Sequence, residues 1–340
     1  MDPLRTAIIG CGHFAKRHAT ILSALPDISL AGFCDQALER AASYNQQYAG
    51  GKAAIYNDFR QMYDELGLDL VYICLPPYAH TNEVELACQH KVHLLIEKPI
   101  ALTLEKALEM ADWVRGSKVK AQVGFMYRFG EAVSQLKMRL RAMEVKPTGF
   151  FTARYACNSL HSWWWRDREK SGGQLVEQVI HLFDMARCFL GEPVQVFSVQ
   201  ENLFHGDVED YTVEDASATV IRFASGGIAV ISATNGAIPN RWDYDWQLVF
   251  AGVTADFSNA NQAVFHHTDR TYPATTTIAA ESDLYLAETL DLIASIREDR
   301  NPAVPIEEGV LSLNLVLAAA SAAQQNLPVA VKSPFELKLA

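Results

Sequence analysis

Three groups of residues in this chain carry atoms suited to chemistry. Gly10–Cys11–Gly12–His13–Phe14–Ala15 is a G-x-G-x-x-A run between the strand-like Thr6–Ile9 and a helix with Phe14, Ile21, Leu22 and Leu25 on its apolar face. Gly10 permits a tight turn, Gly12 lets backbone N–H groups approach a pyrophosphate at the helix N-terminus, and Ala15 allows close helix–strand packing. Lys98 follows an apolar strand-like run, at the carboxyl end where open α/β sheets bind ligands. Glu177 and His181 stand at i and i+4 on a predicted helix and so share a face, which Gln174 and Asp184 extend. The rest of that helix is largely apolar, with Leu175, Val179, Leu182, Phe183, Ala186 and Leu190. A narrow polar stripe on such a helix points into a cleft more readily than toward bulk water. The competing readings are an ordinary surface lysine and a solvated helix face with a satisfied histidine.

Asp35 ends the second strand-like run, where a carboxylate accepts hydrogen bonds from both adenosine ribose hydroxyls and repels a 2′-phosphate. The next residue is Gln36 rather than Arg, which favours NAD over NADP, with Arg40 the residue that would have to swing in for NADP. Leu75, Pro76, Pro77 and His80 follow the fourth strand-like segment and are expected to line the cofactor, the alternative for the prolines being a rigid turn. His266–His267, His161 and His205 show no metal-ligand spacing, so no metal is expected.

The elements that must position these groups follow from hydrophobic periodicity. Up to residue 123, short β-branched or apolar runs (Thr6–Gly10, Ile28–Cys34, Leu70–Leu75, Val92–Ile96, Val119–Gly124) alternate with stretches of 3.6-residue period, the pattern of parallel strands with crossover helices. Thr103 is a plausible N-cap for a helix over Leu104–Arg115, which Gly116 stops. From residue 124 to 340 the rhythm changes to longer alternating segments: Gly149–Cys157, Val194–Asn202, Ala216–Phe223, Ile228–Asn235 and Trp246–Ala251. These predict an antiparallel sheet, with Ser225–Gly226–Gly227 as a hairpin turn. Helices are expected over Glu131–Met143, Leu175–Leu190, Ser282–Arg297 and Glu307–Gln325, giving two domains, 1–123 and 124–340.

Composition limits the partners. The 340 residues are 49% hydrophobic and 20% charged, enough for two cores. A formal charge of -11, without any Lys/Arg-rich run, argues against nucleic acid and anionic membrane surfaces. Met1 to Arg5 run directly into a strand and lack the features of a secretion signal, and the apolar stretch Val310 to Ala323 is too short to span a bilayer and reads as a buried helix. Cysteines 11, 34, 74, 88, 157 and 188 are scattered, as expected for buried thiols in a reducing compartment. A cytoplasmic protein is expected.

Taken together, Gly10–Ala15, Cys74–Leu75–Pro76–Pro77–Tyr78–Ala79–His80, Ile96–Glu97–Lys98–Pro99–Ile100 and the Gly172 to Asp184 segment resemble the Gfo/Idh/MocA oxidoreductases, named for glucose–fructose oxidoreductase and inositol dehydrogenase. The resemblance covers essentially the whole chain, including Pro302–Gln325. It implies an N-terminal α/β Rossmann domain with a parallel doubly wound sheet, an α+β C-terminal domain with a large open, mainly antiparallel sheet, and an active site in the cleft between them. It also implies a homodimer or homotetramer assembled through that sheet. In this family a lysine matching Lys98 lies near the nicotinamide and the substrate hydroxyl, and a histidine matching His181 is the general acid/base. Glu177 stands where the family commonly has Asp, as in a recognised subset.

Hydride transfer from a secondary alcohol needs a base for the hydroxyl proton and a positive group to steady the alkoxide, with no metal if side chains supply both. His181 fits the first role and Lys98 the second, with Pro99 fixing the backbone and Glu97 orienting the loop or touching the nicotinamide ribose. Tyr127 is expected to contact substrate and Arg128 the cofactor, both just past the fifth parallel strand. Trp163, Trp164, Trp165 and Arg166 are expected before the catalytic helix, where indole faces stack on sugar or nicotinamide rings, unless they form a hydrophobic plug. Arg154 is a further anion or hydroxyl ligand. The expected activity is NAD(P)-dependent dehydrogenation or reduction of a sugar, inositol or related polyol. Reduction of a non-sugar cyclic carbonyl or dihydrodiol, and a dinucleotide-binding sensor without turnover, remain as alternatives.

Overall fold

The structure, a computed structural model, describes residues 2–269, 272 and 274–335. In chain order its elements are β1 (Leu4–Ile9), α1 (Ala15–Ala24), β2 (Ile28–Cys34), α2 (Leu38–Ala49), β3 (Ala54–Tyr56), α3 (Phe59–Leu66), β4 (Leu70–Ile73), α4 (Glu83–Gln89), β5 (His93–Ile96), α5 (Leu104–Arg115) and β6 (Ala121–Val123). There follow α6 (Glu131–Ala142), β7 (Phe150–Asn158), the short α7 (Trp163–Arg166) and α8 (Arg168–Ser171), then α9 (Ile180–Leu190), β8 (Pro193–Glu201), β9 (Ala216–Phe223) and β10 (Ile228–Pro239). The chain closes with β11 (Asp243–Phe250), β12 (Val253–Asn259), β13 (Gln262–His267), β14 (Ala274–Ala279), α10 (Leu284–Arg297), α11 (Ile306–Gln325) and β15 (Val329–Ala330).

Two compact units form: Met1–Gly124 with Tyr285–Val310, and Phe125–Leu284 with Leu311–Ala340. Among the described residues the first unit holds one six-stranded parallel sheet in the order β3-β2-β1-β4-β5-β6. The order reverses between β1 and β4, and the crevice beyond the carboxyl ends at such a switch point is where open α/β sheets take ligands. Helices cover both faces, so the strands are continuous apolar runs: all four residues of β4 (Leu70, Val71, Tyr72, Ile73) are fully buried. β3 went unnoticed in the sequence because three residues carry no measurable period.

The expected boundary at residue 124 needs one correction. The stretch 285–310 belongs to the first unit, because Leu292 of α10 joins the core of Ile8, Leu22, Phe33, Tyr72 and Leu95. The Tyr72 hydroxyl donates to Thr289 Oγ1 at 3.1 Å, and the Gln122 amide donates to the Glu288 carbonyl at 2.7 Å. An apolar helix face must find a core, whichever domain its sequence position suggests. Residues 336–340 of the expected second domain lie outside the described residues.

The second unit is built on a nine-stranded sheet among the described residues, in the order β14-β13-β12-β11-β7-β10-β9-β8-β15, antiparallel except for the parallel β7–β10 pair. Ser225–Gly226–Gly227 turns β9 into β10, with Gly226 at φ +87° and the Phe223 N–H donating to Gly227 O at 3.0 Å. Strand alternation sorts residues by face: Phe151, Ala153, Trp246 and Leu248 are buried, while Arg154 and Asp245 emerge on the other side. α9 is buried on nearly every side, including Leu182 and Phe183, each worth about 1.5–3 kcal/mol of transfer free energy.

α11 corrects the expected length of its apolar stretch but not its reading as a buried helix. It runs 20 residues, long and apolar enough by length and composition to cross a membrane. Half of that window is nonetheless buried inside the protein, with Leu313, Val316 and Ala319 fully enclosed, as in a core helix.

Candidate functional site

In the first unit the fingerprint becomes a tightly held turn. Gly10 ends β1 at φ +88°, its N–H donating to Cys34 O at 2.8 Å, and a Cβ there would lie 2.5 Å from the Cys74 carbonyl oxygen. The Asp35 carboxylate accepts the Cys11 N–H at 2.8 Å through Oδ2 and the Ala37 N–H at 2.9 Å through Oδ1, and the Tyr44 hydroxyl donates to Gly12 O at 2.6 Å. Each Asp35 oxygen keeps a further lone pair for a ribose hydroxyl.

Past this turn the backbone opens. A Cβ at Gly12 would meet nothing within 4 Å, and His13 and Phe14 are exposed. Among the described residues no side chain caps the start of α1 and no acidic residue sits in its first turn. Its leading N–H groups and the positive end of its dipole therefore stay available to an anion, and Ala15, fully buried, lets the helix close on the sheet. These features fit the pyrophosphate of a dinucleotide. The Cys11 and Cys34 thiols are pushed up, chiefly by burial and then by the Asp35 charge, Cys34 to about 12, so both act as neutral packing groups.

The ends of β4 and β5 complete this half. Leu75 lies against the Gly10 turn and Pro77 is buried at the start of a short 3₁₀ turn. His80, expected to line the cofactor, turns inward instead: its side chain is 1% exposed and Nδ1 lies 2.5 Å from Glu83 Oε1. Burial alone would raise the Glu83 carboxyl, but His80 and the Thr81 N–H outweigh it and hold it below its ordinary value. His80 thus braces the entry to α4.

Of the two roles expected of Glu97, orienting its loop or touching the nicotinamide ribose, its contacts are those of the first. Its carboxylate is buried, with Oε1 2.6 Å from His18 Nε2 and Oε2 accepting the Lys98 N–H at 3.2 Å. It orients the turn that carries the half-buried Lys98, whose bond to the buried Pro99 is cis.

In the second unit the segment after Gly172 and Gly173 is not the uniform α-helix its period predicts. Leu175–Val179 forms a π-helical turn before α9 begins, and the wider turn shifts Glu177 around the axis relative to His181. A Cβ at Gly173 would lie 2.6 Å from the Glu214 carboxylate, which also accepts the Leu175 N–H at 3.0 Å and an Arg168 N–H at 2.6 Å. Glu177 Oε2 accepts the indole N–H of Trp165 at 2.8 Å. Trp165 is buried beside Tyr211 and Val213, so it anchors the Glu177 carboxylate and offers no open face for sugar stacking, whereas Trp164 is half-buried beside it and Trp163 is exposed.

His181 sits among aromatic rings, 5.0 Å from Tyr127 and 5.9 Å from Phe125 between centroids. Tyr127 in turn stacks on Tyr244 and Trp246, each at 5.7 Å. Such packing fixes the imidazole plane. Asp184, one turn on, is buried and binds Arg128 through two hydrogen bonds of 2.6 and 2.8 Å and the Ser312 hydroxyl at 2.9 Å.

Three expected ligands have other partners. Arg128, assigned to the cofactor, is committed to Asp184 with its side chain 10% exposed. Arg154 pairs with Asp245 at 2.6 Å on the sheet face opposite the buried Ala153 and Trp246. Arg166 donates to the carbonyls of Leu160 at 2.9 Å and His161 at 3.3 Å, closing its own loop.

Two further polar groups emerge to which sequence reasoning gave no role. His161 packs on Trp165 at 4.4 Å and meets the Gln178 amide at 2.7 Å, and burial, against the pull of Glu177, lowers its pKa to about 4, so it is neutral beside that carboxylate. His18 is the other; its only signal was an ionisable residue on the apolar face of α1. Among the described residues no group of three His, Cys, Asp or Glu is placed to hold a metal ion.

Comparison with known proteins agrees with this architecture. Residues 4–125 match the model for the oxidoreductase family, NAD-binding Rossmann fold, and residues 148–331 match its C-terminal alpha/beta domain. The chain is 31% identical to D-glucoside 3-dehydrogenase of Escherichia coli (strain K12) over 67% of this chain and 69% of that protein. It is 25% identical to myo-inositol 2-dehydrogenase of Thermotoga maritima over 96% of this chain and 98% of that protein. In fold it resembles levoglucosan dehydrogenase in complex with NADH and L-sorbose, with a TM-score of 0.87 at 20% identity, covering 98% and 100% of the two chains. The glycine turn, the Glu97–Lys98–Pro99 turn and the Gly172–Gly173 helix thus sit within two matched domains, and the chain belongs to the Gfo/Idh/MocA oxidoreductase family.

Proposed function

We propose that this oxidoreductase transfers a hydride between NAD and a hydroxyl or keto carbon of a sugar, inositol or related polyol. The unit of residues 1–124 and 285–310 binds the nucleotide, and the unit of 125–284 and 311–340 supplies the substrate side. The observation that carries the reading is the Glu177–His181 pair, a carboxylate anchored by Trp165 and an imidazole held by Tyr127, in a chain whose glycine turn leaves an uncapped helix start for a pyrophosphate. The named relatives D-glucoside 3-dehydrogenase and myo-inositol 2-dehydrogenase support the substrate class.

A nucleotide held by the Gly10–Ala15 turn and Asp35 would supply hydride acceptance or donation at the reacting carbon. His181 takes the hydroxyl proton and gives it back in the reverse direction, while the Lys98 ammonium steadies the negative charge on that oxygen. Glu177 accepts a second hydroxyl of the substrate, which makes a polyol a better ligand than a simple alcohol. The open face of the nine-stranded sheet, where Phe150, Val220 and Ile228 are exposed, mediates a homodimer or homotetramer in the cytoplasm.

The test is a panel of cyclic polyols and aldoses with NAD, followed at the absorbance of the reduced nicotinamide, with ketosugars and NADH for the reverse direction. Turnover of at least one polyol or ketosugar is expected; tight NADH binding with no turnover anywhere would favour a sensor. Cofactor choice has its own test in Asp35→Ser. The parent is expected to bind NADH more tightly than NADPH, and the variant to narrow the gap by about tenfold as the repulsion of the 2′-phosphate disappears. Equal parental affinities in a fluorescence titration refute it.

Trp165→Phe keeps a smaller aromatic ring and removes the 2.8 Å donor to Glu177. A charge-assisted hydrogen bond of this kind is worth about 1.5–3 kcal/mol, so kcat/KM is expected to fall by about 10- to 100-fold with NADH affinity unchanged. A parent-like kcat/KM removes Glu177 from substrate recognition.

A further inference from the structure

Beneath Lys98 lies a group of ionisable side chains that the reaction itself does not use. His18 is fully buried, and Glu97 nearly so. One carboxylate oxygen of Glu97 faces His18 Nε2 at 2.6 Å and the other accepts the Lys98 N–H at 3.2 Å. The chain leaves no slack here: a Cβ at Gly124 would lie 2.8 Å from Glu97 Oε2.

Glu288 of α10 comes to the same place. Its carboxyl is fully buried, and among the described residues neither oxygen has a hydrogen-bond partner. The groups around it are Glu97 from the end of β5, Tyr72 and Cys74 from β4, and Asp291 on its own helix, which Arg300 answers at 2.8 Å. His18 of α1 packs on Tyr285, one turn before Glu288, at 5.7 Å. Burial first, then the Glu97 charge, raises the Glu288 carboxyl well above its ordinary value. A carboxylate buried with no hydrogen-bond partner is strongly disfavoured, so Glu288 is held as the neutral acid.

We propose that His18 and Glu288 are positioning residues for Lys98: Glu288 stays a neutral acid, the negative charge resides on Glu97, and the His18 Nε2–H holds it there, where it clamps the Lys98 backbone. The clamp matters to catalysis only if Lys98 acts as proposed above, so its tests include ones that need no substrate.

The first test is stability against pH for the parent and Glu288→Gln, which reproduces the neutral acid in shape. A carboxyl with a raised folded-state pKa takes up a proton on folding, so between its unfolded value, near 4.3, and its folded value the parent loses stability as pH rises. The amide has no such dependence. From about pH 5 upward the unfolding equilibrium constant of Glu288→Gln is therefore expected to fall relative to the parent by about tenfold per pH unit, with the two converging near pH 4. Parallel curves from pH 4 to 9 show that Glu288 is an ordinary ionised carboxylate and overturn its role as a neutral acid.

The second test reads Lys98 directly, as its rate of acetylation by acetic anhydride, followed by mass spectrometry. His18→Ala loosens the clamp and is expected to speed labelling of Lys98 several-fold while leaving other lysines unchanged. His18→Gln, whose amide nitrogen reaches the place of imidazole Nε2, restores the parental rate. If a substrate is found, kcat follows the same order, Ala low and Gln recovered, with the KM for NAD nearly constant. Folded His18→Ala protein with parental labelling, or a Gln variant no better than Ala, overturns the positioning role. Failure to find any substrate counts against the proposed function alone, because pH stability and labelling still decide the clamp.

Discussion

His181→Ala is expected to lower kcat by about 10²- to 10⁴-fold, the span that a positioned general acid/base contributes, while NADH binds as in the parent. The imidazole contacts Tyr127 and Phe125 in the second unit, whereas the pyrophosphate features lie at Gly10–Ala15 in the first, so its removal subtracts nothing from the nucleotide's main anchor. Lys98→Met is expected to fall in the same range, because an oxyanion left without its cation loses several kcal/mol of stabilisation that a thioether cannot replace. If both groups act on one oxygen, as proposed, the double variant should lose far less than the product of the single effects. The measurement is kcat and KM for the best substrate of the panel, alongside NADH fluorescence titrations. Full turnover in either single variant removes that residue from the chemistry.

Gly10→Ala is the second large effect, and it acts through the backbone. At φ +88° an alanine is strained, and its Cβ would sit 2.5 Å from a carbonyl oxygen of the neighbouring strand, an atom with no freedom to move aside. Left-handed strain and forced displacement of β4 together cost about 2–4 kcal/mol. Loss of stability by denaturant titration and loss of NADH binding are expected together. Gly12→Ala separates the two: its added methyl meets nothing within 4 Å, so stability should hold while NADH affinity drops by about tenfold or more, because that space is the one a pyrophosphate needs. Unchanged NADH affinity in a folded Gly12→Ala protein refutes the placement of the nucleotide over this turn.

What could be read in advance divides along physical lines. The parallel βα order, the glycine turn, the Thr103 cap, whose side chain accepts the Lys106 N–H at 3.3 Å, and the β9–β10 hairpin all rest on local rules of period, capping and turn chemistry. The strands β12 to β14 escaped because they are only six or seven residues long and small or polar residues such as Ala255, Ala263 and His267 take buried positions, which weakens the apolar period. The π turn escaped because one extra residue in a helical turn leaves the apolar period nearly intact.

The side-chain partnerships were decided elsewhere. Arg128 and Asp184 are 56 residues apart, Arg154 and Asp245 are 91 apart, and Gln122 reaches the Glu288 carbonyl across 166. Glu97 illustrates the gap most clearly: its place in a motif marked it as functional, yet only the packing of α1 and α10 on the sheet turned it inward, toward His18 and Glu288. Sequence alone determined the fold class and the nucleotide turn, because those depend on neighbours a few bonds away. The tertiary structure decided which charged side chains remain available for a ligand, because a buried charge takes whatever partner the fold brings within reach.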